Sequence, residues 1–242
     1  MLDHLAHLRA EVARFSGAIG DLDAPVPACP DWRVRDLIHH LGSVHRMFRR
    51  VADEGLTERP PPLDPDDRPD ASDDRIVTWA NEQADLLLAA LEHLDPNAPR
   101  WNFTSGPQVG AFIPRRMLHE TTIHRWDLQG AYGIRGNLDV EVARDGVREY
   151  LEVLRLRWDP WGGKPAVLRT EVEDGPTIDL MLRTDEQPDV RVDVDSRREP
   201  DATVRADAPT LFLAWWGRSP LSASRTAGSP ALIDQVRGCA RT

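Results

Sequence analysis

The stretch Arg115–His124, "RRMLHETTIH", places two histidines and a glutamate within six residues: His119, Glu120 and His124. A zinc-peptidase helix has the spacing His-Glu-x-x-His, with its two imidazoles four residues apart on one face. Here they are five apart. At about 100° per residue, five residues turn roughly 140°, so His119 and His124 cannot share one ion on a regular helix. Glu120 and His124 are four apart and do share a face. That face also carries Met117, Thr121, Leu128 and Ala131. A carboxylate and an imidazole on an apolar face are costly unless they are paired or bind a metal. A plain helix-surface pair, worth a few tenths of a kcal/mol, is the competing reading.

A third donor has to come from another element. All eight histidines lie at or before position 124, and His39, His40 and His45 fall on one segment. In a helix from about Trp32 to Asp53, Val34, Leu37, Leu41, Val44, Phe48 and Val51 form the apolar stripe. His39 lies opposite that stripe and is expected to face water. His40 and His45 lie at its two edges, and the wheel does not choose between them. Two imidazoles and one carboxylate with an open position form the ligand set of a catalytic zinc site, and would also suit nickel or iron(II).

Four helices are expected in the first half: about 2–19, 32–53, 74–94 and 114–132. Asp31 is a suitable N-cap for the second, Pro114 a first-turn residue of the fourth, and Gly133 its stop. Residues 55–74 hold five prolines and many aspartates and read as an exposed linker. A further helix around 138–157 leads into a segment of different character. "AVLRTEVE", "TIDLMLRT" and "DVRVDVD" alternate as strands of an antiparallel meander. Asp207 then caps a short helix, "PTLFLAWWG", and "SPALIDQV" forms the last one. The expected class is α+β, an all-helical domain over 1–135 followed by a smaller α/β domain over 136–242.

The 242-residue chain carries a net charge of −10, which argues against nucleic-acid binding. No apolar run reaches the length of a membrane span, and the first residues lack the apolar block of a signal peptide, so a cytoplasmic protein is expected. Cys29 and Cys239 do not amount to a disulfide framework. Lys164 is the only lysine among 30 basic residues, a bias that points to a GC-rich genome.

Together, "VPACPDWRVRDLIHHLGSVHRM" and "RRMLHETTIHRWDLQGA" resemble the mycothiol-dependent maleylpyruvate isomerase family. The resemblance rests on Pro30-Asp31-Trp32, on His40-Leu41-Gly42, and on Glu120, His124 and Asp127. It implies a DinB-like four-helix bundle with a smaller C-terminal domain containing an antiparallel sheet. It also implies a divalent metal, zinc by family habit, held by His40, Glu120 and His124, and so selects His40 over His45. "ATVRADAPTLFLAWWGRSP" is similar to the family's C-terminal segment and offers Arg218 for a substrate carboxylate. Asp127 would orient a ligand from behind.

The implied activity uses a low-molecular-weight thiol, mycothiol, for thiol addition, S-transfer or cis–trans isomerisation of a small electrophile. The expected partners are that thiol and the electrophile, and the expected state is a monomer or homodimer. Two alternatives stand beside this: a non-catalytic bundle using the "LFLAWWG" aromatics as an interface, and a metal-dependent hydrolase.

Overall fold

The computed structural model describes residues 2–62, 69–153, 160–173, 175–193 and 199–239. Parts of three expected elements lie outside them: positions 63–68 of the acidic linker, 154–157 of the helix after 138, and 194–195 of the third strand. The chain divides into two compact units, Met1–Phe103 with Pro107–Asn137, and Thr104–Gly106 with Leu138–Thr242.

The first unit is a four-helix bundle of α1 (His4–Gly17), α2 (Val34–Asp53), α3 (Ile76–Glu92) and α4 (Phe112–Ala131). α1 packs on α3 and α4, and α2 does the same from the other side. The core near the site gathers Phe15, Val26, Val34, Leu37, Ile38, Leu41, Ile76 and Leu128. At Gly42, α2 lies tight against α3, since a Cβ there would lie 2.5 Å from Trp79 Cζ3.

The helix starts differ from expectation at two places. α2 begins at Val34, with Arg33 rather than Asp31 as its N-cap, and the Asp36 carboxylate accepts from the Arg33 N–H at 2.8 Å. The reason is that the preceding chain is already occupied: Val26 N–H donates to Trp32 O, Val34 N–H to Ala24 O and Arg35 N–H to Leu22 O, each at 3.0 Å. α4 starts at Phe112, which puts Pro114 at the third helical position, where a missing N–H still costs nothing. Gly133 stops α4 at φ +70, with its N–H on Gly130 O and the Ile134 N–H on Gln129 O.

α4 is not amphipathic in the usual sense. Ile113, Arg116, Met117, Leu118, His119, Thr121, Thr122, Ile123, His124, Arg125, Asp127 and Leu128 are all buried. Charges survive there because each meets a partner. Arg125 Nε donates to Glu11 of α1, with both side chains 1–2% exposed. Its other nitrogens reach Gln129 Oε1 at 2.6 Å and Asn137 O at 2.9 Å.

The second unit holds α5 (Val140–Val153), a five-stranded sheet, α6 (Ala208–Trp215) and α7 (Pro230–Cys239). The strands are β1 (Ala166–Val172), β2 (Thr177–Leu182), β3 (Asp189–Val192), β4 (Ala202–Ala206) and β5 (Arg225–Gly228), in the order β3-β2-β1-β4-β5. β1–β2–β3 form the expected meander. β4 and β5 are additional, and β4 runs parallel to β1. Trp215 and Trp216 are buried, and both rings lie against Tyr150 of α5. No described helix is long and apolar enough to cross a membrane.

Candidate metal centre

The first wall of the site is set by the hooked segment ahead of α2. Its three backbone bonds to 22–26 are reinforced by Cys29 N–H on Val26 O and Trp32 N–H on Cys29 O. The Arg35 guanidinium grips Asp23 Oδ1 through two nitrogens, at 3.0 and 2.9 Å. Held in this way, the Trp32 indole lies 4.9 Å from the His40 ring and 6.3 Å from the His124 ring, centroid to centroid. The two imidazoles meet edge-on at 4.9 Å.

Among the described residues, His40, Glu120 and His124 form a cluster whose potential ligand atoms all lie within 4.8 Å of one another. His40 comes from the edge of the α2 stripe, with its side chain 35% exposed; Glu120 and His124, on α4, are 18% and 7% exposed. Glu120 Oε1 lies 3.2 Å from His40 Nε2 and 3.3 Å from His124 Nε2. Bonds of about 2.0–2.1 Å in a tetrahedron give ligand–ligand edges of about 3.3 Å. The two separations match that edge and are equally those of hydrogen bonds between the three side chains, and two nitrogens with one carboxylate oxygen suit zinc in donor type.

The rear of the cluster is organised as well. Asp127, wholly buried, has Oδ2 3.0 Å from His124 Nδ1. A proton on Nδ1 donates to that carboxylate and leaves Nε2, the atom facing Glu120, to bind an ion. Burial opposes the charged form of His124, but the bonds to Asp127 and Glu120 outweigh it and raise the imidazole to about 9. Burial likewise opposes the Glu120 carboxylate, yet contacts with His124, His40 and Arg116 hold its carboxyl well below the usual range. The metal-free cluster thus stores a proton that a cation would displace.

The other sequence candidates fall elsewhere. His45 sits one and a half turns beyond His40, 2% exposed, with Nε2 3.0 Å from Thr121 Oγ1. Burial pushes it down to about 4, so it is neutral. His39 does not stand free in water as expected; it is half-buried and stacks on Trp79 at 6.1 Å. His119 is fully buried but lies outside the cluster. Arg218 belongs to the second unit, where it closes α6. Gly217 at φ +74 donates to Ala214 O and the Arg218 N–H to Leu213 O, while the Arg218 Nη1 reaches Trp216 O at 2.8 Å.

Arg116, not singled out from the sequence, is 2% exposed and donates from Nη2 to Glu120 Oε2 at 3.2 Å. Its place four residues before Glu120 was the available signal.

Known protein families and solved structures bear on the whole chain. Residues 5–129 match the mycothiol maleylpyruvate isomerase N-terminal domain, and residues 141–235 match that family's C-terminal domain. A crystal structure of the mycothiol-dependent maleylpyruvate isomerase is similar at a TM-score of 0.63 and 14% identity, covering 93% of this chain and 92% of that one. A histidine-to-alanine variant of that isomerase matches at a TM-score of 0.63 and 13% identity, over the same shares of both chains. At such identities the likeness concerns the fold. No curated protein matches the chain by sequence.

Proposed function

Because this chain belongs to the mycothiol maleylpyruvate isomerase family, we propose that it is a metal-dependent enzyme acting with a low-molecular-weight thiol, mycothiol, on a small electrophile. The observation that carries the reading is the pair of 3.2 and 3.3 Å separations from Glu120 Oε1 to the Nε2 atoms of His40 and His124. Those three residues would hold a divalent ion, zinc by donor type. When bound, the ion supplies a position at which a thiol is deprotonated near neutral pH.

The remaining work falls to the chain's own groups. Asp127 fixes the His124 tautomer and ring plane. Trp32 lies beside both imidazoles. The thiolate sulfur adds to one carbon of an activated double bond, which becomes a rotatable single bond. Expulsion of the thiolate after rotation completes cis–trans isomerisation and regenerates the thiol. Retention of the sulfur, with a proton taken up at the neighbouring carbon, gives an S-conjugate instead. In this reading Arg218 is the group for a substrate carboxylate, by bidentate contact, and the protein works in the cytoplasm.

Metal analysis after zinc loading tests the centre. The wild type and His39→Ala retain one equivalent and His40→Ala retains none. Absence of retained metal in the wild type, or a requirement for His39, overturns the reading. Thiol use is tested by melting: mycothiol raises the melting temperature of the zinc-loaded protein, as a ligand of the folded state must. A water-activating hydrolase would show no such shift.

A further inference from the structure

The two oxygens of Glu120 are divided between two neighbourhoods. Oε1 faces His40 and His124, and Oε2 accepts from the Arg116 guanidinium at 3.2 Å. Arg116 lies one helical turn earlier on α4 and is 2% exposed, so its charge is held inside the bundle. A buried guanidinium is strongly destabilising without an anionic partner, and it cannot follow a moving carboxylate into solvent. A carboxylate that turned both oxygens toward a cation would give up the Arg116 contact.

We propose that Arg116 is a positioning residue: it reserves Oε2 and presents Glu120 to the metal through Oε1 alone, leaving a coordination position for an anionic sulfur. This rests on the metal centre proposed above and deepens it. Two consequences follow from charge. A carboxylate already hydrogen-bonded to a cation gives less electron density to the ion, which leaves the ion more acidic toward an incoming thiol. Arg116 also offsets one of the two nearby carboxylates, Glu120 and Asp127, so the site keeps net positive charge when a divalent ion is bound and favours an anion in the open position.

The test uses Co2+ alone as the probe, on the full chain. The Co2+-loaded wild type gives the intense visible bands of four-coordination. Arg116→Met, which keeps the bulk and removes the donors, loses visible intensity as Glu120 closes on the ion with both oxygens. Arg116→Lys, which restores a charged donor, recovers part of it. Melting curves of the metal-free proteins separate these shifts from a loss of fold.

An infrared difference spectrum of the Zn2+-loaded against the metal-free wild type needs no variant. It shows the wide splitting of carboxylate stretches that marks one-oxygen ligation. A narrow splitting, weak five- or six-coordinate Co2+ bands in the wild type, or an unchanged spectrum in a folded Arg116→Met overturns the inference and leaves the centre standing. Failure of the wild type to take up Co2+ overturns the centre itself.

Discussion

Replacing Asp127 by asparagine separates two effects that its carboxylate exerts at once. Asp127 is wholly buried and its Oδ2 is 3.0 Å from His124 Nδ1; asparagine is nearly isosteric and its amide oxygen can still accept the Nδ1–H. The first effect is on the ligand, since loss of such a partner behind a metal-binding histidine costs about 10–100-fold in affinity, about 1.4–2.7 kcal/mol. The second is on the competing proton. With His124 raised to about 9 in the metal-free protein, an ion binding at pH 7 must displace a proton held two pH units above ambient. That weakens apparent affinity by roughly two orders of magnitude, a penalty that fades as pH approaches 9.

Asparagine lowers the His124 pKa and so relieves this penalty while weakening the ligand. The variant is therefore expected to lose its full 10–100-fold at pH 9 and much less at pH 7. Competition against a chromophoric chelator for Zn2+ at pH 7, 8 and 9 reads both effects. Calorimetry in buffers of different ionisation enthalpy should show about one proton released per ion at pH 7 in the wild type. A wild-type affinity that stays flat from pH 7 to 9, or an Asp127→Asn loss equal at both ends, refutes the account.

The folded state gives further expectations. His45 is lowered from 6.5 to about 4, so the unfolded chain takes up its proton first as pH falls. Stability is then lost between pH 6.5 and 4, by about 3 kcal/mol in total, and denaturant melts of His45→Gln should show a flatter acid limb. Glu11→Ala leaves Arg125 buried without its carboxylate and should cost about 3 kcal/mol or more by urea unfolding, with Glu11→Gln costing less. Gly42→Ala drives a methyl to within 2.5 Å of Trp79 and should lower stability by about 1–3 kcal/mol, with the Trp79 fluorescence environment altered.

Helix periodicity was sufficient to recover α1 to α4 to within a few residues, and face counting on α4 separated Glu120 and His124 from the more conspicuous His119. It could not choose between His40 and His45. The stripe of α2 leaves both at its edges, and only the packing of α2 on α4 decides that His40 faces Glu120 while His45 faces Thr121. The burial of Arg125 is illegible for the same reason. Charged residues read as solvent-facing until their partners are known, and Glu11 lies 114 positions from Arg125.

In the second unit, β4 alternates correctly, but two of its three inward residues, Ala202 and Ala206, have too little apolar bulk to stand out. β5, "RTAG", is exposed throughout and carries no pattern to detect. Trp32 stands in a readable motif, Pro30-Asp31-Trp32, but its place against two imidazoles depends on backbone bonds of the hook that no periodicity encodes.

His40 and Glu120 lie on different helices, 80 positions apart. An ion shared between them would be a reversible cross-link closing most of the helical bundle into one loop. Such a link cannot form on a fragment, nor on either helix before the bundle has assembled. By mass action, free metal at 100 times its dissociation constant would add about 2.7 kcal/mol to the folded state. The same protein would then persist in a metal-replete cell and be opened and degraded faster in a starved one, so supply of the ion would set its abundance before its catalysis.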